Sequence, residues 1–315
     1  MIRDILRPVV RTRFVQNAFG AVARIREHGF GNYVQLNAYL LRAHTKSKFR
    51  KSRYRNLSHE EIKQSKKSET IFIFGSGYSL NDISAEEWRR IAMHDTMGFN
   101  HFVRQDWVRS DYHLIRGWRE GVTDPEIAAE ISEEFISLID GKDEYRNTTF
   151  VVQHDFRAFF GNTLVGDGYF AKGTKIFQFK TLKESSSPDP NQPDYVCHGV
   201  GTLCDAISFA YCMEWKRIVL VGVDLYDSRY FWLRDDETIY TDYVTGKQEI
   251  SAVTDRGQRF DEAHSTATAG ILDLISRWNA EFQVNGVEIQ VYNPKSLLSQ
   301  VLSVYDGRHS DSRPQ

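Results

Sequence analysis

Short apolar runs alternate with helical stretches from residue 70 onward, and this alternation constrains the fold more than any other feature. The clearest apolar runs are 70–74 and 217–222, which end at Gly75 and Gly222. Apolar runs of this length that end at glycine are typical of buried strands. Strands that alternate with helices indicate a mostly parallel sheet with helices on both faces.

The remaining elements follow from the same pattern. Ser84 with Glu87 forms a predicted capping box, and Asp124-Pro125 is a predicted helix start. We expect helices at 84–93, 124–139, 200–213, 266–282 and 295–304. We expect further strands at 96–100, 112–116, 150–152, 175–179 and 287–293, with a loop at 185–194. Residues 227–263 break the alternation and are polar and rich in aromatics, which predicts a lid over a ligand site.

Composition excludes several classes of protein. The chain has 315 residues, of which 41% are hydrophobic and 26% charged, so it is not disordered, collagen-like or a coiled coil. No apolar run approaches the ~18 residues of a membrane-spanning helix, and charged residues near the N-terminus disfavour a secretory signal. Three cysteines at spacings of seven and eight fit neither a disulfide framework nor a zinc site. A cytoplasmic location is expected.

The small net charge of −2 is a sum of two opposite parts. Residues 1–69 carry 16 Lys/Arg against 5 Asp/Glu, a balance of +11, and the rest carries 24 against 37, a balance of −13. We interpret 1–69 as a basic, helical, amphipathic arm that lies on an anionic membrane surface at the inner face of the cell membrane. The alternatives are a solvated arm or a helix packed on the body. Nucleic acid is disfavoured because the body is acidic.

The loop after the first strand has the form of a phosphate-binding turn. It consists of Gly75, Ser76, Gly77, Tyr78 and Ser79. Ligands of parallel sheets bind at the carboxyl ends of strands, and two glycines let the backbone approach a phosphate or ribose closely. Leu80 excludes the dinucleotide fingerprint, and no Gly-Lys-Ser/Thr follows as in a P-loop. The bland alternative is a structural turn.

Other polar residues follow the expected strands. Asn100 and Arg116 end the second and third strands, and Asp224 follows the central strand, where it can hold a sugar hydroxyl or organise the loop. The start of the 200–213 helix predicts an anion site, and it contains His198, Gly199, Gly201 and Thr202.

Hydroxyl and imidazole groups near the lid are candidates for the chemistry. Tyr226 and Tyr230 are expected to donate hydrogen bonds to a leaving phosphate, and His264 is a candidate general base. Each of these side chains has a structural alternative, as a packing, surface or capping residue. The chain contains no Asp-x-Asp motif and no metal-ligand cluster, so a metal-free site is expected.

The ordered set of motifs resembles the bacterial sialyltransferases of glycosyltransferase family 42. It also resembles a wider group with the same nucleotide-binding core, which includes motility accessory factors and hydroxymethylpterin pyrophosphokinases. The resemblance spans about residues 70–305 and rests on these segments: Gly75-x-Gly77-x-Ser79-Leu80, Asn100, Gly199, Gly222-x-Asp224-x-Tyr226, His264-Ser265 and Asn293 with Ser296-Leu297-Leu298. It implies a single Rossmann-like domain, a GT-A-like variant, at 70–309 with a tail from 306.

The resemblance also implies a reaction. Family members transfer sialic acid from a CMP-activated donor with inversion and without a metal or other cofactor. Gly75–Ser79, Asn100 and the helix start at Gly199 would bind the nucleotide, Tyr226 and Tyr230 the departing phosphate, and His264 would be the base. Arg116 stands where the family has asparagine, which suits an acidic sugar or its phosphate.

The expected acceptor is a surface glycan or a lipid-linked oligosaccharide, and a homo-oligomer is left open. The alternative functions are a metal-dependent pyrophosphokinase on the same core and a non-catalytic protein that binds nucleotide or glycan.

Overall fold

The structure is a computed structural model that describes residues 22, 25–26, 29–116, 125–154, 163–182, 187–226, 229–234, 236–241, 248–252 and 269–307. Its α-helices are α1 Phe30–Phe49, α2 His59–Ser65, α3 Ala85–Ile91, α4 Pro125–Ile139, α5 Leu164–Asp167, α6 Thr202–Cys212 and α7 Ile271–Val284. Its strands are β1 Arg55–Asn56, β2 Thr70–Phe74, β3 Asp95–Phe99, β4 Tyr112–Ile115, β5 Thr149–Gln153, β6 Lys175–Leu182, β7 Tyr195–Cys197, β8 Arg217–Val221, β9 Glu237–Thr241, β10 Gln248–Ala252, β11 Glu288–Val291 and β12 Ser303–Val304.

Ten strands form one sheet in the order β1-β6-β5-β4-β3-β2-β8-β11-β12, with β7 beside the far end of β6. Each of the strand pairs described in this sheet is parallel. The predicted α/β, Rossmann-like architecture with a mostly parallel sheet is therefore confirmed. β9 and β10 form a separate antiparallel hairpin within the predicted lid.

The apolar run of β2 is continuous because both of its faces are buried. Ile71 and Ile73 lie in the core that also contains α6 and α7. Phe72 and Phe74 face the other way, into a core that contains Trp88 of α3. Side chains of a strand alternate between the two faces of a sheet, so a strand covered on both sides favours apolar residues at successive positions.

Local signals placed several helices correctly. Both hydrogen bonds of the Ser84–Glu87 capping box are present, and α3 begins at Ala85, the residue after Ser84. α6 lies between the predicted limits 200 and 213, and its residues from Leu203 to Cys212 are all buried. A helix that is buried around its whole circumference is typical of such a central position.

The predicted helix at 295–304 is wrong. The chain forms a 3₁₀ turn at Leu297–Gln300 and then the short strand β12, which pairs with β11. Asn293 and Ser296 accept hydrogen bonds from the backbone N–H groups of Lys295 and Leu298. These local bonds compete with helix formation. The strand β7 follows the loop expected at 185–194 and was not predicted. Residues 266–268, which we expected at the start of α7, are outside the described residues.

The described part of the predicted arm contacts the body. β1 pairs with β6 through Arg55 and Lys175. Ile62 of α2 is completely buried in the main core. α1 lies against α5, with Lys46 Nζ 3.0 Å from Asp167 Oδ1. Residue 69 is therefore no packing boundary, and the alternative of a helix packed on the body holds for residues 30–49. No helix in the described ranges is long and apolar enough to cross a bilayer.

A buried histidine makes the fold sensitive to acid. His113 of β4 is completely buried beside the rings of Tyr145 and Phe150. This burial lowers the pKa of His113 to about 3. Because the unfolded chain binds a proton here near pH 6.5 and the folded chain does not, stability falls as the pH drops below 6.5.

We expect His113→Leu to flatten this dependence. The free energy of unfolding of the variant minus that of the parent should increase by about 1.4 kcal/mol for each unit by which the pH falls from 6.5 to 4.5. Urea denaturation at several pH values measures the difference. Tyr112→Phe, at the neighbouring buried position, is the control and should keep the parental slope. Parallel curves for His113→Leu and the parent would contradict the assignment.

Candidate functional site

The sheet has a topological switch point between β2 and β8. From β2 the strand order runs through β3 to β6 on one side and through β8, β11 and β12 on the other. At such a point the loops that leave two neighbouring strands diverge and open a crevice, which is where parallel sheets bind ligands. The loops that leave β2 and β8 here are 75–79 and 222–226.

Hydrogen bonds join the two loops along their backbones. The N–H of Gly75 donates to Val221 O at 2.8 Å, and the N–H of Gly77 donates to Gly222 O at 2.8 Å. A Cβ on Gly77 would lie 2.4 Å from Asp224 Oδ2. Glycine at this position therefore follows from the close approach of the second loop.

Asp224 connects three segments of the chain. Its carboxylate accepts hydrogen bonds from the Ser79 N–H at 2.9 Å, the Ser79 hydroxyl at 2.5 Å and the Asn293 amide at 3.1 Å. The side chain is 3% exposed. Asp224 was expected either to hold a sugar hydroxyl or to organise the loop. These contacts show that it organises the loop.

The first part of the predicted lid lies against the glycine loop. Tyr230 forms an antiparallel bridge with Gly77, and the N–H of Phe231 donates to Ser76 O at 3.2 Å. The guanidinium of Arg229 lies 4.0 Å from the centre of the Tyr78 ring. Residues 229–234 thus share one surface with the predicted nucleotide loop.

The two tyrosines occupy different settings. The hydroxyl of Tyr226 is 3.5 Å from the Asn293 amide nitrogen, beside the Asp224 contacts. The ring of Tyr230 stacks on Trp232 with centroids 4.6 Å apart and contacts His101, the neighbour of Asn100. Asn100 directly follows β3 and has a φ of 51°, a left-handed conformation that asparagine tolerates. His264 lies outside the described residues, so its assignment stays a prediction.

A buried carboxylate joins two other predicted residues. Nη1 of Arg116 lies 2.8 and 3.0 Å from the two oxygens of Asp205, and His198 Nδ1 lies 2.8 Å from Asp205 Oδ2. Asp205 is completely buried, while the side chains of Arg116 and His198 are 12% and 28% exposed. Arg116 therefore already binds a carboxylate of the protein, which reduces the charge that we expected it to offer to an acidic donor.

Sequence reasoning missed Asp205. It lies in the first turn of α6, where the flanking residues are apolar. A single acid inside such a helix was the available signal, because a buried charge needs a partner. The partners come from β4 and β7, whose ends the sequence did not place beside α6.

The start of α6 has the predicted glycines. Gly199 has a φ of 54°, and a Cβ there would lie 2.6 Å from Leu274. Gly201 precedes the helix, and Thr202 is its first residue. An anion at this helix start stays a prediction.

The cysteines are poor nucleophiles. All three are buried. Burial raises the pKa of Cys197 to about 11 and those of Cys204 and Cys212 to about 12. Thiolate is the reactive form of cysteine, and it is scarce at neutral pH for such thiols.

Two other concave regions lie at the opposite edge of the sheet. One is lined by segments 107–109 and 143–147, which precede β4 and β5. The other lies between 187–191, which precede β7, and the ends of α6 and α7. Since ligands of parallel sheets bind at carboxyl ends, the glycine-loop edge remains the candidate site. In the described ranges, no three His, Cys, Asp or Glu side chains are grouped as metal ligands.

The fold and the site together define a Rossmann-like α/β protein with its candidate crevice at the switch point. In a search of solved structures, the chain is similar to a MAf glycosyltransferase from Magnetospirillum magneticum AMB-1, with a TM-score of 0.50 and 15% sequence identity. The alignment covers 95% of this chain and 43% of that one, so this chain spans less than half of its length. No protein-family model and no curated protein matched the sequence. At this identity the likeness shows the fold.

The contact at Gly77 gives a first prediction for the site. Gly77→Ala should destabilise the fold by about 1–3 kcal/mol, because Asp224 is buried and bonded and cannot move away from the added methyl group. Thermal and urea unfolding measure the loss. Gly31→Ala is the control, since a Cβ on Gly31 meets nothing within 4 Å. Equal stability of the two variants would rule out the interlocked loops.

The buried charges give a second prediction. Asp205→Ala should cost about 3–5 kcal/mol, because it leaves Arg116, whose side chain is only 12% exposed, without its carboxylate partner. The double variant Arg116→Met/Asp205→Leu should be more stable than Asp205→Ala alone, in urea denaturation. Asp143→Ala serves as the control, since Asp143 pairs with Arg146 at the surface, and such pairs contribute about 0–1 kcal/mol. A cost as small as that of the control would disprove the buried pair.

Proposed function

We propose that the protein is a glycosyltransferase that takes its sugar from a nucleotide donor at the β2–β8 crevice. The observation that carries the proposal is the pair of interlocked loops, Gly75–Ser79 and Gly222–Tyr226, at the switch point. Glycines there let the two loops pack closely at the carboxyl edge, where parallel sheets bind ligands, and the bonds of Asp224 hold the turn in place. The glycosyltransferase fold of the similar solved structure supports the same class of reaction.

For the donor, we propose a CMP-activated sialic acid or a related acidic sugar. The support is the resemblance of the ordered motifs to the family 42 sialyltransferases. Arg116 and His198 both contact the carboxylate of Asp205, and their side chains are 12% and 28% exposed at this edge. Donor groups of this kind would bind an anionic sugar or phosphate.

For the chemistry, we propose direct displacement with inversion and without a metal. A nucleoside monophosphate leaves with limited charge, which the hydroxyls of Tyr226 and Tyr230 and the start of α6 would stabilise. A histidine would take the proton from the attacking acceptor hydroxyl. His264 is the residue that the motif resemblance assigns to this step.

His198 is a second candidate for that base. Its Nδ1 is bound to the buried carboxylate of Asp205, an arrangement that fixes the orientation of an imidazole and leaves Nε2 for proton transfer. The two histidines therefore need to be tested separately.

The first test is binding. We expect cytidine nucleotides to raise the melting temperature more than uridine, guanosine or adenosine nucleotides do, with or without magnesium. Transfer from CMP-sialic acid to a glycan acceptor is then assayed in excess chelator. Full transfer activity in excess chelator would exclude the metal-dependent pyrophosphokinase, and the absence of nucleotide binding would refute the proposal.

The second test separates the two bases. Loss of the base should lower turnover by about 10²–10⁴-fold. His264→Ala should show this loss, with His198→Ala changing mainly KM for the donor. The reverse result would transfer the role to His198. His59→Ala is the control, because His59 is in α2, before the amino end of β2.

A further inference from the structure

Helix α1 is fixed to the body by one face. Leu40, Ala43 and Ser47 of this face are buried. The contact with α5 is close, because a Cβ on Gly166 would lie 2.0 Å from the carbonyl oxygen of Ala43. Lys46 adds an ion pair with Asp167. α1 is therefore held in one orientation on the domain.

The other face of α1 exposes a stripe of large apolar side chains. Phe30, Val34 and Leu41 are 67%, 47% and 52% exposed. With 3.6 residues per turn, these three positions fall within about 40° of each other around the helix. Around the helix axis, the centre of this stripe lies about 130° from the centre of the buried face formed by Leu40, Ala43 and Ser47. Burial on the body thus does not explain why these positions are apolar.

The charges on the exposed surface of α1 indicate what covers the stripe. α1 contains no acidic residue. Arg42 and Lys48 are exposed, and Lys48 has the same angular position around the helix axis as Phe30. A helix with apolar and basic side chains on its free surface fits an anionic lipid surface, where the apolar groups enter the headgroup boundary. A stripe of three side chains is small for a stable protein dimer, which buries some 20–30 residues a side.

We propose that α1 docks the protein on an anionic membrane surface through Phe30, Val34 and Leu41, assisted by Arg42 and Lys48. The helix contacts the carboxyl edge of the sheet at β5, three strands from β2, because His44 stacks on His154 with ring centroids 4.6 Å apart. His154 directly follows β5, at the carboxyl edge that also carries the glycine loop. Docking therefore brings that edge towards the lipid. The acceptor is then one carried by a lipid, a consequence that rests on the proposed function, whereas the docking itself does not.

The test is flotation of the full chain with phosphatidylcholine vesicles, with and without phosphatidylglycerol. The protein should bind the anionic vesicles only, and more weakly as salt rises. Phe30→Ser/Val34→Ser/Leu41→Ser should lower the partition coefficient about 100-fold. Arg42→Gln/Lys48→Gln should lower it about 30-fold, at roughly 1 kcal/mol for each basic residue. Met93→Ser/Val284→Ser is the matched control, since these apolar side chains are 67% and 86% exposed elsewhere.

Point variants are used because truncation would remove the buried Tyr54 and Ile62. Unchanged vesicle binding by the triple variant would overturn the proposal, as would equal binding to neutral vesicles or none at all. A parent dimer that becomes monomeric in the triple variant, without vesicle binding, would assign the stripe to a second copy of the chain. Stripe-dependent binding without any sugar transfer would refute the proposed function and leave the docking surface standing.

Discussion

The candidate site depends on one buried carboxylate. Asp224 is bonded to Ser79 after β2 and to Asn293 after β11, and it belongs to the loop that follows β8. Three of the strands around the switch point are thereby joined at their carboxyl ends. Each acceptor bond removes part of the cost of burying the charge, so the carboxylate is tolerated only in this arrangement. Gly77 lies so close to the same carboxylate that a side chain at this position would collide with Asp224.

A second carboxylate has a similar effect further along the edge. Asp205 holds Arg116 and His198 and so ties the ends of β4 and β7 to the start of α6. Adjacent strands are about 4.8 Å apart, so β4 lies about 10 Å from β2 across β3. The carboxyl edge thus carries two clusters of side chains, each held by a buried carboxylate. Side chains fixed in this way preorganise a crevice before any ligand arrives.

The sequence predicted most of the fold because burial on both faces leaves a direct mark on it. β2 and β8 are apolar at nearly every position, and Ser84 with Glu87 carries its own start signal for α3. The failures are of another kind. The segment 295–304 looked helical, but Asn293 and Ser296 bond locally and β12 finds a partner in β11. β1 and β7 are too short to show a period and exist through pairing with β6.

The site shows the same division. Gly75, Gly77 and Asp224 were predictable because a turn after a buried strand has a known place in such sheets. Asp205 was not, because its importance comes from Arg116, which is 89 positions away in the sequence. The N-terminal segment was recognisable from the sequence as basic, helical and amphipathic. Which face of α1 is docked depends on Ala43 meeting Gly166, a tertiary contact without a local pattern.

The position of β2 has a consequence for how the chain is made. β2 lies between β3, which follows it closely, and β8, and the Ser79–Asp224 bonds span 145 positions. While the ribosome is still adding the intervening residues, β2 has one open edge, and an unpaired apolar edge is prone to join other chains. A nascent chain that ends before β8 therefore contains the glycine loop but not Asp224, which holds that loop in place. The candidate site comes into being late, in the same step that closes the sheet.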